Sequence, residues 1–398
     1  MKKSFGTKAF LKKKDYKIVK VRSLASRNFR ISEKVKKKIL AASCAVCLMF
    51  SLLLDVFALS SVATDIQSAE QVINLYSTNQ EIKYSISSQK TILGISGNST
   101  YTIYKLKPFG FAILLDETNG LMEACYAENA IVPIDMKSDA QYYYGGPGVY
   151  CIRQNGSFLN TFDGEFLSFD DVYYCGQLER SASQYELRKS GKIDSKAKFT
   201  MTRSDFSTHT VANNYFAFLD EYGENEHGTC TVIAAAMLLG YYDNFIDENF
   251  VPTQYEEGNG TSEAFHQLLN GYVYGTSALG GIFIHEALPG INAYLTDQTV
   301  WARMVSDNSS QTSIINNIID NLAGGDPVIA SMGTHLGATY DHTVLIYSVT
   351  YYNDDPAGTA AVRMNMGWGD TINDSGQYNT AYVTTAGWFY ECGYLEYA

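Results

Sequence analysis

Cys230 heads the run H-G-T-C-T-V-I-A-A-A-M-L-L-G-Y-Y-D, His227 to Asp243, whose apolar stretch carries no charge before Asp243. Gly228-Thr229 reads as a flexible residue followed by an N-cap hydroxyl, which places Cys230 at the first position of a helix. Unsatisfied backbone N–H groups and the helix dipole at such a tip favour a thiolate over a thiol. The helix behind it is apolar on every side, so it should be buried with only its tip reaching a cleft. The competing reading is a small, inert core residue, because cysteine is among the most buried residue types.

A nucleophilic cysteine needs a base. His342 follows Asp341 and precedes the apolar run T-V-L-I-Y-S-V-T-Y-Y, so it should begin a strand and face its mouth. His335, in the glycine-flanked loop G-T-H-L-G, competes for the role, as does His227 beside the cysteine. A base in turn needs a partner that holds its ring and tautomer. M-N-M-G-W-G-D, Met364 to Asp370, offers Asn365 on a strand expected to neighbour that of His342. Asparagine is depleted in strands, so this one suits a role for its amide. Gly367 and Gly369 let the backbone turn closely around Trp368, whose indole would keep water off an Asn–His hydrogen bond. The plain alternatives are a surface histidine, and a turn beside a core tryptophan.

These residues need elements to position them. Residues 65–80 are polar and mildly helical, and Thr100–Lys107 alternates as a strand does. Gly110–Ala127 reads as a β-hairpin around Asn119-Gly120. Together these form a small α+β unit over residues 64–135. Residues 136–180 carry short aromatic segments between glycine turns, a strand-rich connector. Arg180–Phe199 is basic with little apolar periodicity and reads as an exposed linker, a good place for proteolytic nicking. From residue 204 one domain is expected: the Cys230 helix, then a second helix with Ile314, Ile315, Ile318, Ile319 and Leu322 at helical spacing, ended by Gly324-Gly325. Strands follow at Pro327–Met332, His342–Tyr352 and Ala360–Met366. Helices first and antiparallel strands after them make the fold class α+β.

Charge is divided unevenly. Residues 1–38 hold 15 Lys/Arg against Asp15 and Glu33, whereas from residue 201 onward 23 acids face only Arg203, Arg303 and Arg363. Such a surface repels nucleic acid and anionic headgroups, so nucleic-acid binding is excluded. The basic N-terminus leads into the apolar run Ile39–Leu54, ended by Asp55, with small-residue cleavage signals at Val56-Phe57-Ala58 and Ser61-Val62-Ala63. This is an export signal over residues 1–63 with a long n-region, or an uncleaved membrane anchor, and it is the one expected membrane contact. The chain is expected outside the cytoplasm, secreted or at the cell surface. Beyond the signal stand Cys125, Cys151, Cys175, Cys230 and Cys392, an odd number too small for a disulfide scaffold. No metal-ligand spacing occurs, and neither a metal nor a cofactor is expected.

In order, a cysteine at a helix tip, a histidine before an apolar strand, and N-x-G-W-G resemble the papain-like cysteine peptidases. The likeness is greatest to the streptopain-like branch, with some similarity to the papain-fold peptidases that process bacteriocins, and it covers residues 213–388. It implies a helical half carrying Cys230, a β half carrying His342 and Asn365, and hydrolysis of a protein or peptide substrate without a cofactor. Upstream, Y-T-I-Y-K-L-K-P-F-G-F-A-I-L-L-D is similar to the propeptide of streptopain-like zymogens. That implies that the 64–135 unit covers and inhibits the enzyme, with maturation in the basic linker. The family has a glutamine six residues before the cysteine that helps bind the oxyanion. Here that place is Glu224, whose carboxylate would repel an oxyanion, and Asn225 is the nearest amide. Glu224 supports an alternative reading, a surface or binding protein on the same scaffold; amide hydrolysis or transpeptidation by the same three residues is another.

Overall fold

The computed structural model of the chain describes residues 66–77, 81–128, 130–162, 164–192, 205–211, 229–257, 260–275, 281–332, 342–367 and 382–397. The chain divides into two units, Met1–Val62 and Ala63–Ala398, and all of these residues lie in the second. Among them no helix is long and apolar enough to cross a membrane, and Ile39–Leu54 lies outside them.

The fold is α+β, built on one large and mostly antiparallel sheet. Helix α1 (66–76) is followed by strands β1 (Ser85–Gly94), β2 (Thr100–Lys107), β3 (Phe111–Leu115), β4 (Gly120–Cys125), β5 (Tyr142–Gly146), β6 (Val149–Gln154) and β7 (Ser157–Asn160). Helix α2 (Phe169–Lys192) and β8 (Phe206–Thr210) come next. Helix α3 (Cys230–Phe245), the ribbon β9 (Glu256–Glu257) with β10 (Gly260–Thr261), α4 (Glu263–Tyr274) and α5 (Ile284–Asp297) lead to β11 (Ala302–Asp307). The remainder is α6 (Gln311–Gly324), β12 (Val328–Met332), β13 (His342–Tyr352), the short α7 (Pro356–Thr359), β14 (Ala361–Asn365), β15 (Tyr382–Thr385) and β16 (Phe389–Tyr397). The strands run β11-β16-β12-β13-β14-β15-β4-β3-β2-β1-β5-β6-β7, with β8 against the far end of β13. Among the described strands only the β1–β5 pair is parallel.

Local sequence accounts for much of this. The hairpin turns at Asn119, whose φ of 52° is the left-handed conformation that asparagine tolerates. F-A-I-L-L of β3 is buried at every position. One face belongs to a cluster with Ile73 and Tyr76 of α1, and the other to the larger core that includes Ala182 and Tyr185 of α2. A strand covered on both faces becomes a continuous apolar run. Helix α6 buries Ile314, Ile315, Ile318, Ile319 and Leu322; Ser310 caps its start and Gly325, at φ 95°, its end. Helix α3 is buried from Cys230 through Tyr242, the central rod against which the second half packs.

One expectation is corrected. The stretch from Arg180 is not an exposed linker as far as Lys192, because it belongs to α2 and buries Ala182, Ser183, Tyr185 and Glu186. That face is made of tyrosine, serine, alanine and glutamate, so apolar periodicity does not reveal it; Tyr101 donates to the Glu179 carboxylate and Thr385 to that of Glu186, at 2.6 Å in the second case. Residues 64–135, 136–203 and 204–398 lie within one unit. Strand β15 pairs with β4, Tyr382 opposite Cys125, so the sheet runs unbroken from the first half into the second. Trp388 adds its Nε1–H bond to the Met122 carbonyl at 3.1 Å, and Arg363 donates to the Ser77 carbonyl at 3.0 Å.

Candidate active site

Cys230 opens α3, and Thr229 stands at its N-cap as expected. The hydroxyl of Thr229 is not what caps the helix; its backbone carbonyl accepts from Val232 and Ile233 at 2.9 and 3.1 Å. Strand β13 begins at His342 and lies beside β12, with Met332 opposite His342 and Ser331 opposite Thr343. This register sets His342 and Thr343 against the tip of α3. The Cys230 thiol, 7% exposed, meets the His342 side chain together with the N–H and hydroxyl of Thr343. Burial alone would push the thiol up. The hydrogen bond and charge of His342, with the two donors of Thr343, outweigh burial and hold it below the ordinary cysteine value. Burial does push up Cys125 and Cys392, each to about 12. The five cysteines among the described residues are buried free thiols, and Cys230 differs from Cys125 and Cys392 in the direction of its shift.

Asn365 ends β14, beside β13, with its backbone opposite Leu345. It is fully buried, and its Oδ1 accepts from the Gly367 N–H at 2.8 Å, which closes a tight turn over Met366. The Met366 carbonyl points from that turn to Nε2 of His342 at 2.5 Å. A carbonyl only accepts, so Nε2 carries the proton of that bond, and Nδ1 is the ring nitrogen left for another partner. A backbone oxygen one residue beyond the expected amide thus bonds the ring, and Asn365 accepts within the turn that presents it. Gly367 has φ 64°, and a Cβ there would stand 3.3 Å from Ile233 and 3.4 Å from Met237. The turn therefore rests directly on the cysteine helix, which requires glycine.

Several residues that the sequence did not single out complete the site. The Thr231 hydroxyl donates to the Ile282 carbonyl at 2.6 Å and lies 2.9 Å from that of Thr343, which is 3.0 Å from that of Ser331. Glu391 of β16, opposite Ser331 and fully buried, accepts from the backbone N–H groups of Ile284 and His285 at 3.1 and 2.8 Å. A carboxylate at that helix start satisfies orphan donors and fixes the segment carrying Ile282. The one available signal was that Cys230 and His342 are each followed by threonine, in C-T and H-T.

The other described histidines are engaged elsewhere. His209 bonds the Tyr351 hydroxyl at 2.9 Å, His285 bonds Glu391 at 2.9 Å, and burial pushes His266 down to about 4. Glu224, Asn225, His227, His335, Asp341 and Trp368 lie outside the described residues. Among the described residues no cluster of histidine, cysteine and acid side chains could hold a metal ion. No model of a known protein family matches the sequence, and no curated protein is similar enough to match it.

Proposed function

We propose that the chain is an exported cysteine peptidase of the papain-like class, nearest the streptopain-like branch, made as a zymogen. The observation that carries this reading is a thiol at a helix tip held below its ordinary value against the effect of its own burial, by a histidine whose far nitrogen is anchored. The Cys230 thiolate attacks a peptide carbonyl. His342, now an imidazolium, protonates the leaving amine, and water then hydrolyses the thioester with His342 as base. The Cys230 backbone N–H and Asn225 receive the oxyanion, and Trp368 shields the His342 turn. No cofactor takes part. The α+β region over residues 64–135 acts as the propeptide. The helical backbone through Lys192 moves the expected maturation cut from the basic stretch as a whole to residues 193–204, because a protease must unwind helical backbone before it can cut it.

The test is labelling of the full chain with a peptide electrophile, followed by mapping of the modified residue. The label is expected on Cys230, and Cys230→Ala is expected to abolish both labelling and peptide hydrolysis. Hydrolysis by Cys230→Ala at the wild-type rate, or a label confined to another residue, would reject the reading. Adding an amine acceptor during turnover separates hydrolysis from transpeptidation.

A further inference from the structure

The hydroxyls beside Cys230 have a proton count that leaves one of them with two acceptors. This inference rests on the reading of Cys230 as the nucleophile. The Thr231 proton is committed to the Ile282 carbonyl, which can only accept. The proton on the 2.9 Å contact between Thr231 and Thr343 must therefore come from Thr343. With that proton directed away, Ser331 is the donor on the 3.0 Å contact to Thr343. Thr343 also reaches Cys230 Sγ with the same hydroxyl, beside its fixed backbone N–H. Its single proton thus faces the neutral oxygen of Thr231 and a sulfur whose charge changes during the reaction.

We propose that the Thr343 hydroxyl is a two-position donor that follows the charge on Cys230, bonding Thr231 Oγ1 while the thiol is protonated and Sγ once the thiolate forms. The thiol proton passes to the His342 ring, and the Thr343 O–H only turns about its Cβ–Oγ1 bond, so no covalent bond to Thr343 breaks. Ser331 donates to Thr343 in both positions and keeps its oxygen satisfied. A hydrogen bond to a charged acceptor is roughly twice as strong as one between neutral groups, so the preference reverses when charge appears. Thr343 is a positioning residue whose effect is on the thiolate and not on substrate contact. Three other polar groups border this cluster. His342 on β13 supplies the positive charge, Tyr274 of α4 is pushed up to about 12 by burial and the nearby cysteine and stays neutral, and Glu391 on β16 is engaged with α5.

The pH dependence of iodoacetamide alkylation at Cys230, read by mass spectrometry on the full chain, tests this. The wild type is expected to show a midpoint below that of an ordinary cysteine. Thr343→Val keeps the shape and the backbone donor, and it is expected to raise the midpoint, leaving about tenfold less thiolate at a pH below both midpoints. Thr343→Ser is expected to restore the wild-type midpoint. Thr231→Val removes the competing acceptor, so the midpoint should stay or fall. Circular dichroism checks folding, with Thr343→Ala in place of the valine variant if that one fails to fold. A depressed wild-type midpoint that loss of the Thr343 hydroxyl does not move overturns the hydroxyl's role while leaving the nucleophile standing. A rise in Thr231→Val equal to that in Thr343→Val overturns it as well. A wild-type midpoint equal to that of an ordinary cysteine overturns both.

Discussion

At the residue scale, the site turns on where the His342 ring gets its anchor. The Met366 carbonyl holds Nε2, and Asn365 holds the turn by accepting from Gly367. Asn365→Ala should therefore release the turn and cost roughly a hundredfold in kcat/KM, the scale of a misplacement of about 1 Å. Asn365→Asp keeps an acceptor for the Gly367 N–H and should retain much more activity than alanine; steady-state peptide hydrolysis checks the order. Equal losses in the two variants would assign the role to the amide N–H instead. Cys230 and His342 were legible in the sequence because their chemistry lies in the side chain and each begins an apolar element. Met366 was not legible, because what it contributes is a backbone oxygen, and any residue has one. Thr231, Thr343 and Ser331 were hidden for a related reason: hydroxyls at buried strand and helix positions look like ordinary small residues until register sets them together.

At the element scale, local pattern and tertiary pairing divide the work. Helix α6 could be read from isoleucine spacing between Ser310 and Gly325, and the β3–β4 hairpin from Asn119-Gly120, because each signal lies within the element. Helix α2 could not, since its buried face carries Glu179, Ser183 and Glu186, which bond to partners far along the chain. Helix α5 also depends on a distant group. The carboxylate of Glu391 ties the first N–H groups of that helix to β16. Glu391→Ala leaves those donors buried without an acceptor and should cost about 2–3 kcal/mol, read as a lowered urea midpoint. Glu391→Gln keeps one carbonyl oxygen and should cost less. Equal midpoints for Glu391→Ala and the wild type would show that the N-terminus of α5 is held by packing alone.

At the scale of the whole molecule, the two halves meet over a buried acid. Glu123 on β4 is fully buried and accepts from the Tyr144 and Tyr150 hydroxyls, while Tyr144 packs edge-on against Trp388 at 5.8 Å. Burial pushes its carboxyl up to about 7 from 4.5, outweighing the two tyrosine donors, so the folded chain holds this proton more tightly than the unfolded one. The stabilising contribution is complete below pH 4.5 and is lost as pH rises toward and through about 7, to an extent of roughly 3 kcal/mol. Glu123→Gln removes that dependence, so thermal melts at pH 5 and pH 8 should show the variant gaining on the wild type at the higher pH. A gap between the two proteins that is the same at both values would mean the carboxyl titrates normally. The pairing of β15 with β4 bears on the same junction. A cut between residues 193 and 204 would sever the chain but not the sheet, so the nicked protein should travel as one particle of two fragments. A chain begun after the cut would present β15 as a bare edge, open to pairing with the next copy, so the upstream half would serve the downstream half as a fitted chaperone.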